Sequence, residues 1–263
     1  MLRPAPTAYD AAPGFVGHYG EFPLPDSWSR DGYESAYTAQ MDVSYRKPGS
    51  RPGSAPIFIG GSTCSASDHK YAFEREPGQW SMLPRLNAQS KPGTPGHAFM
   101  TSPPTIRMAE DAARITMRWA EATNPELAAT LRHAKEVIPP ELRYGDTFWT
   151  AITLVGDLRD GNNHNHQDVH DVVSLIVMVG KDITGGATHY YDASDKEGGK
   201  VVQTVPFEHG RYQVCEFDKV WHAGEQWQGK RGIISFYLNR EIMEHFARYG
   251  TAKYEAARER MYA

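Results

Sequence analysis

Six short runs rich in β-branched and aromatic residues follow one another along the chain, at 148–155, 172–179, 187–191, 201–205, 212–217 and 233–238. Such side chains lose rotamer freedom in a helix and pack well on a pleated surface. Turn-forming residues separate the runs: Gly180 closes the second, and Gly185-Gly186 precede the third. Short strands at this regular spacing build an antiparallel barrel or sandwich. The reading is a mainly β fold with flanking helices.

The helices come on either side. Ile106, Ala109, Ala113, Met117 and Ala120 recur at three- and four-residue steps, the mark of an amphipathic helix. Asn124-Pro125 suits the start of a second, with Leu127, Leu131 and Ala134 on one face and Pro139-Pro140 as its stop. Helical spacing returns from Glu241 to Met261 through Ile242, Phe246, Tyr249 and Ala257.

Residues 1–104 hold 14 of the 18 prolines, yet aromatics such as Phe15, Tyr19, Phe22, Trp28, Phe73 and Trp80 are spread among them. A disordered tail is poorer in aromatics. The expectation is an irregular Pro/Gly-rich layer packed on a core formed by residues 105–263, the whole making one structural domain. A chain of 263 residues is long enough to bury a full core.

The 28 basic and 32 acidic residues leave a net charge of −4 with no dense Lys/Arg run, which disfavours a nucleic-acid partner. Cys64 and Cys215 stand 151 positions apart with no CxxC spacing, so neither a disulfide framework nor a thiolate metal site is expected, and a reducing cytoplasm fits. The first residues carry no apolar run of the signal-peptide kind, and no stretch reaches the length of a membrane span.

Chemistry concentrates in His166-Gln167-Asp168, in His222 and in Arg231. Residues two apart in a strand share a face, so His166 and Asp168 present an imidazole and a carboxylate roughly 7 Å apart along the backbone. A closed sheet would bring His222 alongside them. Two imidazoles and one carboxylate hold one face of a ferrous ion and leave the other open for small ligands and dioxygen. Arg231 enters the apolar run at 233–238, where burial would demand an anionic partner; its two-pronged guanidinium suits a carboxylate.

Other registers compete. His164 with His166 forms an HxH pair of the cupin kind, but a glutamate soon after it and a Gly/Pro turn before the last histidine are both missing. His164, His170 and Asp171 are read as neighbouring or surface groups, with Asp171 able to orient a ligand imidazole. A cupin-like metal barrel that binds no organic acid stands as the alternative.

His166, Asp168, His222 and Arg231 match, position by position, the HxD…H…R pattern of the iron(II)- and 2-oxoglutarate-dependent dioxygenases, which the chain resembles over residues 144–240. The stretch from Trp149 to Asp171, ending HxDxxD, resembles a divergent group with the J-base and methylcytosine dioxygenases and fungal amino-acid-modifying oxygenases. The resemblance implies a double-stranded β-helix (jelly-roll) core, with His166, Asp168 and His222 as Fe(II) ligands and Arg231 binding 2-oxoglutarate. It further implies O2 as co-substrate, with 2-oxoglutarate decarboxylated to succinate as a substrate is hydroxylated, desaturated or cyclised. Slight acidity favours a small molecule such as an amino acid; a nucleic-acid base or protein side chain is the other possibility. Trp149, Tyr191, Trp221 and Tyr237 are aromatic candidates for the pocket wall, and the N-terminal third could supply a lid.

Overall fold

The computed structural model describes residues 17–29, 32, 57–64, 72–77, 79–155, 167, 168 and 170–262. In chain order its strands are β1 (Gly17–Glu21), β2 (Ile57–Thr63), β3 (Ala72–Glu76), β4 (Gln79–Met82) and β5 (Arg85–Leu86). Helices α1 (Pro95–Met100), α2 (Pro103–Thr123) and α3 (Pro125–Val137) come next. Strands β6 (Ala151–Val155), β7 (Asp171–Gly185), β8 (Thr188–Tyr191) and β9 (Val201–Val205) follow. The chain continues through β10 (Arg211–Cys215), β11 (Trp221–Gly224) and β12 (Trp227–Asn239) to α4 (Arg240–Tyr249) and α5 (Ala252–Tyr262).

A seven-stranded sheet in the order β1-β10-β7-β12-β6-β2-β5 faces a three-stranded sheet in the order β11-β8-β9. Every pairing in both is antiparallel. From β6 onward the chain passes repeatedly between the two sheets, the connectivity of a jelly roll. Of the described strands in the N-terminal third, β1, β2 and β5 are members of the large sheet, while β3 and β4 pair as a separate antiparallel hairpin.

Period-two alternation divides the large sheet. Ile152, Leu154, Val173, Leu175, Val177, Val214, Ile234, Phe236 and Leu238 point one way, into a core shared with Met108, Trp119, Leu131, Ile242 and Phe246 of the helices. Thr153, Met178, Gln213, Cys215 and Tyr237 occupy the intervening positions and face the small sheet. There Met178, Cys215, Tyr190, Val205 and Phe217 form a second core. The sheets are also tied by polar contacts: Tyr190 donates to Gln213 Oε1 at 2.6 Å, and Gln213 Nε2 donates to Thr188 Oγ1 at 2.9 Å. Each large apolar side chain buried in this way contributes roughly 1.5–3 kcal/mol.

Several elements depart from the sequence reading. Gly180 does not end β7, which runs on to Gly185 because β12 extends back to Trp227 and keeps pairing with it. A bulge between Gln228 and Lys230 absorbs the mismatch, with Gly229 at φ 96° and Asp182 at φ 54°. The buried stripe of α2 is Thr105, Met108, Ala109, Ala112, Thr116, Trp119 and Ala120, which leaves Ala113 and Met117 on its margin. The bulk of Trp119 turns the helix by about one position from the expected face. Asn124 closes α2 and caps α3, accepting from Leu127 N–H at 3.1 Å. The C-terminal helix is two helices, broken at Gly250, whose φ of 61° suits glycine and whose N–H closes α4 on Phe246 O. Cys64 and Cys215 are both buried and free. Among the described residues no helix is long and apolar enough to cross a membrane.

One buried group sets an acid limit on stability. His245 lies against the rings of Phe73, Phe246 and Tyr249 at 5.2–5.5 Å, and its Nε2 has no partner among the described residues. Burial, helped by Lys253, holds its pKa down from 6.5 to about 4. Above the unfolded value the ring is neutral in both states. As pH falls from 6.5 toward 4 the unfolded chain takes up a proton that the folded one refuses, so stability is lost across that window. His245→Phe should flatten the pH dependence there, as read from urea midpoints between pH 4 and 7. An unchanged slope would assign the effect elsewhere.

Candidate metal and carboxylate site

His222 lies on β11 directly opposite Tyr190 of β8, and is therefore on the face that looks at the large sheet. Phe217 meets its ring edge-on at 4.8 Å. Nδ1 is 3.3 Å from Val220 O, a carbonyl that can only accept. That pairing keeps the proton on Nδ1 and leaves the Nε2 lone pair for another partner. Nε2 faces Asp168 Oδ2 at 3.7 Å. Donors each roughly 2.0–2.2 Å from one ion can lie up to about 4.2 Å apart, so this pair can share a metal.

Asp168 is set by the backbone. Its N–H donates to Phe217 O at 3.0 Å, and its own carbonyl accepts from Asp171 N–H at 3.0 Å. The structure thus brings Asp168 and His222 together as the sequence suggested. His166 lies outside the described residues, as does His164. Among the described residues no group of three His, Cys, Asp or Glu side chains is placed to hold an ion. His170 is at the surface, its side chain 74% exposed and 3.8 Å from Glu241. Asp171 accepts the Ser174 hydroxyl at 2.8 Å, so it is not the group that orients His222.

The surroundings are rich in negative charge. Burial, then the neighbouring Asp168, raises the Asp171 carboxyl to about 8; Asp218 adds to the rise, and Ser174 and Arg240 oppose it. The Cys215 thiol is driven up by burial and by Asp168, Glu216 and Asp218. Burial also lifts the Tyr237 hydroxyl to about 12, with Asp171 and Asp168 adding to it and a bond from Thr153 opposing. A bound cation would relieve all of these repulsions.

Arg231 is on the same face of the large sheet, paired with Gly180 of β7. It is only 6% exposed. Its guanidinium lies over the rings of Trp227 at 4.6 Å and Phe207 at 5.7 Å. A Cβ at Gly186 would come within 3.6 Å of its Cδ, and one at Gly224 within 3.3 Å of its Nη1. Missing side chains therefore make room around the charge. Burial pulls the Arg231 pKa down to about 10, with Glu225 acting weakly against it. Among the described residues it forms no ion pair, and its Nε has no hydrogen-bond partner. A buried guanidinium in that condition is poorly compensated and suits an anionic ligand.

Of the four aromatic candidates, Tyr237 alone faces this chamber; its hydroxyl is 3.4 Å from Thr153 Oγ1. Trp149 is fully buried against α2, donating to Ala109 O, and Trp221 pairs with Tyr191 on the outer face of the small sheet. A separate cavity of about 830 Å³, bounded by Leu86, Met100, Ile106, Glu141 and Arg143, contains none of the expected site residues. Sequence reasoning missed Phe207, Trp227, Asp218 and Arg240, which no motif or spacing marks.

No protein-family model matches the chain, and no curated protein matches it. Solved structures do. NgTET1 in complex with 5mC DNA superimposes with a TM-score of 0.52 at 11% identity, covering 94% of this chain and 80% of that one. An oxidoreductase of the 2OG-Fe(II) oxygenase family from Burkholderia pseudomallei gives 0.44 at 11% identity, covering 86% and 88%. IDO from Bacillus thuringiensis gives 0.44 at 10%, covering 86% and 91%. These are likenesses of fold.

Proposed function

We propose that this chain, which shares the fold of the iron(II)- and 2-oxoglutarate-dependent oxygenases, is an oxygenase of that kind acting on a small organic molecule. The observation that carries the proposal is the buried Arg231, without an ion pair among the described residues and flanked by Gly186 and Gly224, on the same interior as the facing His222 and Asp168 donors. A cupin-like metal barrel that binds no organic acid has no use for such a charge.

In this reading His222 Nε2 and Asp168 Oδ2, with His166, hold Fe(II), and Arg231 receives the far carboxylate of 2-oxoglutarate as a charge-assisted, two-pronged hydrogen bond. The iron, when bound, supplies oxidation of the substrate coupled to decarboxylation of 2-oxoglutarate to succinate. The chain positions the reactants and excludes water. Val220 O fixes the His222 tautomer, the Trp227 and Phe207 rings shield the guanidinium, and the buried Met178 and Phe217 line the interior with apolar surface. Tyr237 offers a hydroxyl to substrate.

Purified protein given Fe(II) and 2-oxoglutarate without oxygen is expected to develop a visible charge-transfer band. In air it should form succinate, faster with a substrate found in a panel of amino acids and related acids. Neither band nor succinate would reject the proposal. The fold likeness to a structure solved with 5mC DNA supports a second reading, oxidation of a nucleic-acid base. The net charge of −4 and the lack of a basic run weigh against it. Oligonucleotide binding that weakens steeply with salt would favour the second reading over the first.

A further inference from the structure

We infer that Arg240 is a positioning residue for the carboxylate of Asp168, an inference that rests on the metal site proposed above. Arg240 is the first residue of α4, immediately after β12. A cation there opposes the helix dipole, so the helix itself gains nothing from it. What it does is join three segments. Its backbone N–H donates to His170 O at 2.8 Å, and its guanidinium donates to Asp171 O at 2.9 Å and pairs with the Asp218 carboxylate.

Asp218 adjoins Phe217, whose carbonyl receives the Asp168 N–H. Asp168 is therefore held from both sides by partners of a single guanidinium. On one side the link runs through Asp171, whose N–H binds Asp168 O; on the other it runs through the Phe217-Asp218 turn. Asp218 is half-buried, its enclosed Oδ1 has no partner among the described residues, and Arg240, ahead of Lys219, is the larger cation compensating it. Arg240 is thus one cation placed on both the Asp171 carbonyl and the Asp218 carboxylate. Without it the 168–171 segment would drift from His222, and the 3.7 Å facing pair would open.

The test is Co(II) affinity, read from the visible absorption of the bound ion and expressed per folded molecule, with the melting temperature measured alongside. Arg240→Gln is expected to weaken Co(II) binding about 10- to 100-fold, the usual effect of losing a group that orients a metal ligand. Arg240→Lys, which can reach one partner but not both, should recover part of that loss. Asp218→Asn should weaken binding in the same direction, and it decides the matter if Arg240→Gln does not fold. A purely structural staple would lower the melting temperature and leave the affinity of the folded protein unchanged. Affinity within twofold of the unaltered chain overturns the inference alone. Failure of the unaltered chain to bind Co(II) overturns the metal site and the inference with it.

Discussion

Replacing Arg231 with methionine is expected to make the ligand-free protein more stable while weakening 2-oxoglutarate binding by orders of magnitude. A guanidinium pushed from 12.5 to about 10 by burial carries a desolvation cost on the order of 3 kcal/mol. Methionine fills similar space between Trp227 and Phe207 without a charge. Exchanging a poorly compensated buried ion for an apolar side chain is commonly neutral or stabilising, by up to about 4 kcal/mol. For a chain of this size each kcal/mol raises the melting temperature by roughly 2–4 °C. Binding should move the other way, because on the proposed reading the co-substrate carboxylate would lose the guanidinium that receives it. Losing a partner of that kind costs roughly 2–5 kcal/mol, or about 30- to 5,000-fold in Kd. Scanning calorimetry and titration of 2-oxoglutarate into both proteins check the two halves. Unaltered affinity in Arg231→Met would remove the role assigned to Arg231.

The second large effect is expected at the facing donors. Asp168→Ala and His222→Ala should each lower metal affinity by more than about 100-fold, since losing a direct ligand exceeds the loss of a group that merely orients one. Succinate formation should vanish with it. The melting temperature of each variant, measured alongside, separates loss of ligation from loss of fold, a control that His222→Ala needs because the ring is buried against Phe217. His170→Ala is the control, because that side chain is 74% exposed and lies beside Glu241 at the surface. Turnover that survives both ligand changes would reject the site.

The difference between what the sequence revealed and what it hid follows from range. The runs at 172–179 and 233–238 were legible because alternation is a local property. The extensions of β7 to Gly185 and of β12 back to Trp227 were not, because Lys181 and Lys230 enter strands only by pairing with each other. β2 carries Gly60-Gly61, which reads as a turn. It is a strand because Gly61, at φ 117°, packs so tightly on Thr150 that a Cβ would meet Thr150 O at 2.3 Å. The short β5 was invisible because only its pairing with β2 makes Arg85-Leu86 a strand. At the site, His222 and Asp168 could be found because their chemistry has a spacing. Arg240 and Asp218, 22 positions apart, have none. The aromatic walls of Arg231 come from an irregular segment, Phe207, and from the start of β12, Trp227, which only its pairing with β7 makes a strand.

The place of β2 and β5 in the large sheet has a consequence for the rest of the molecule. β6 is flanked by β12 on one side and β2 on the other. If β2 and β5 were cut away, β6 would become an open edge: five residues, Ala-Ile-Thr-Leu-Val, with their outward N–H and C=O groups unanswered. Such an edge is largely apolar and free of charge or proline, the kind that recruits strands from other chains. β2 and β5 would therefore act as a seam binding that guards this side of the large sheet against self-association.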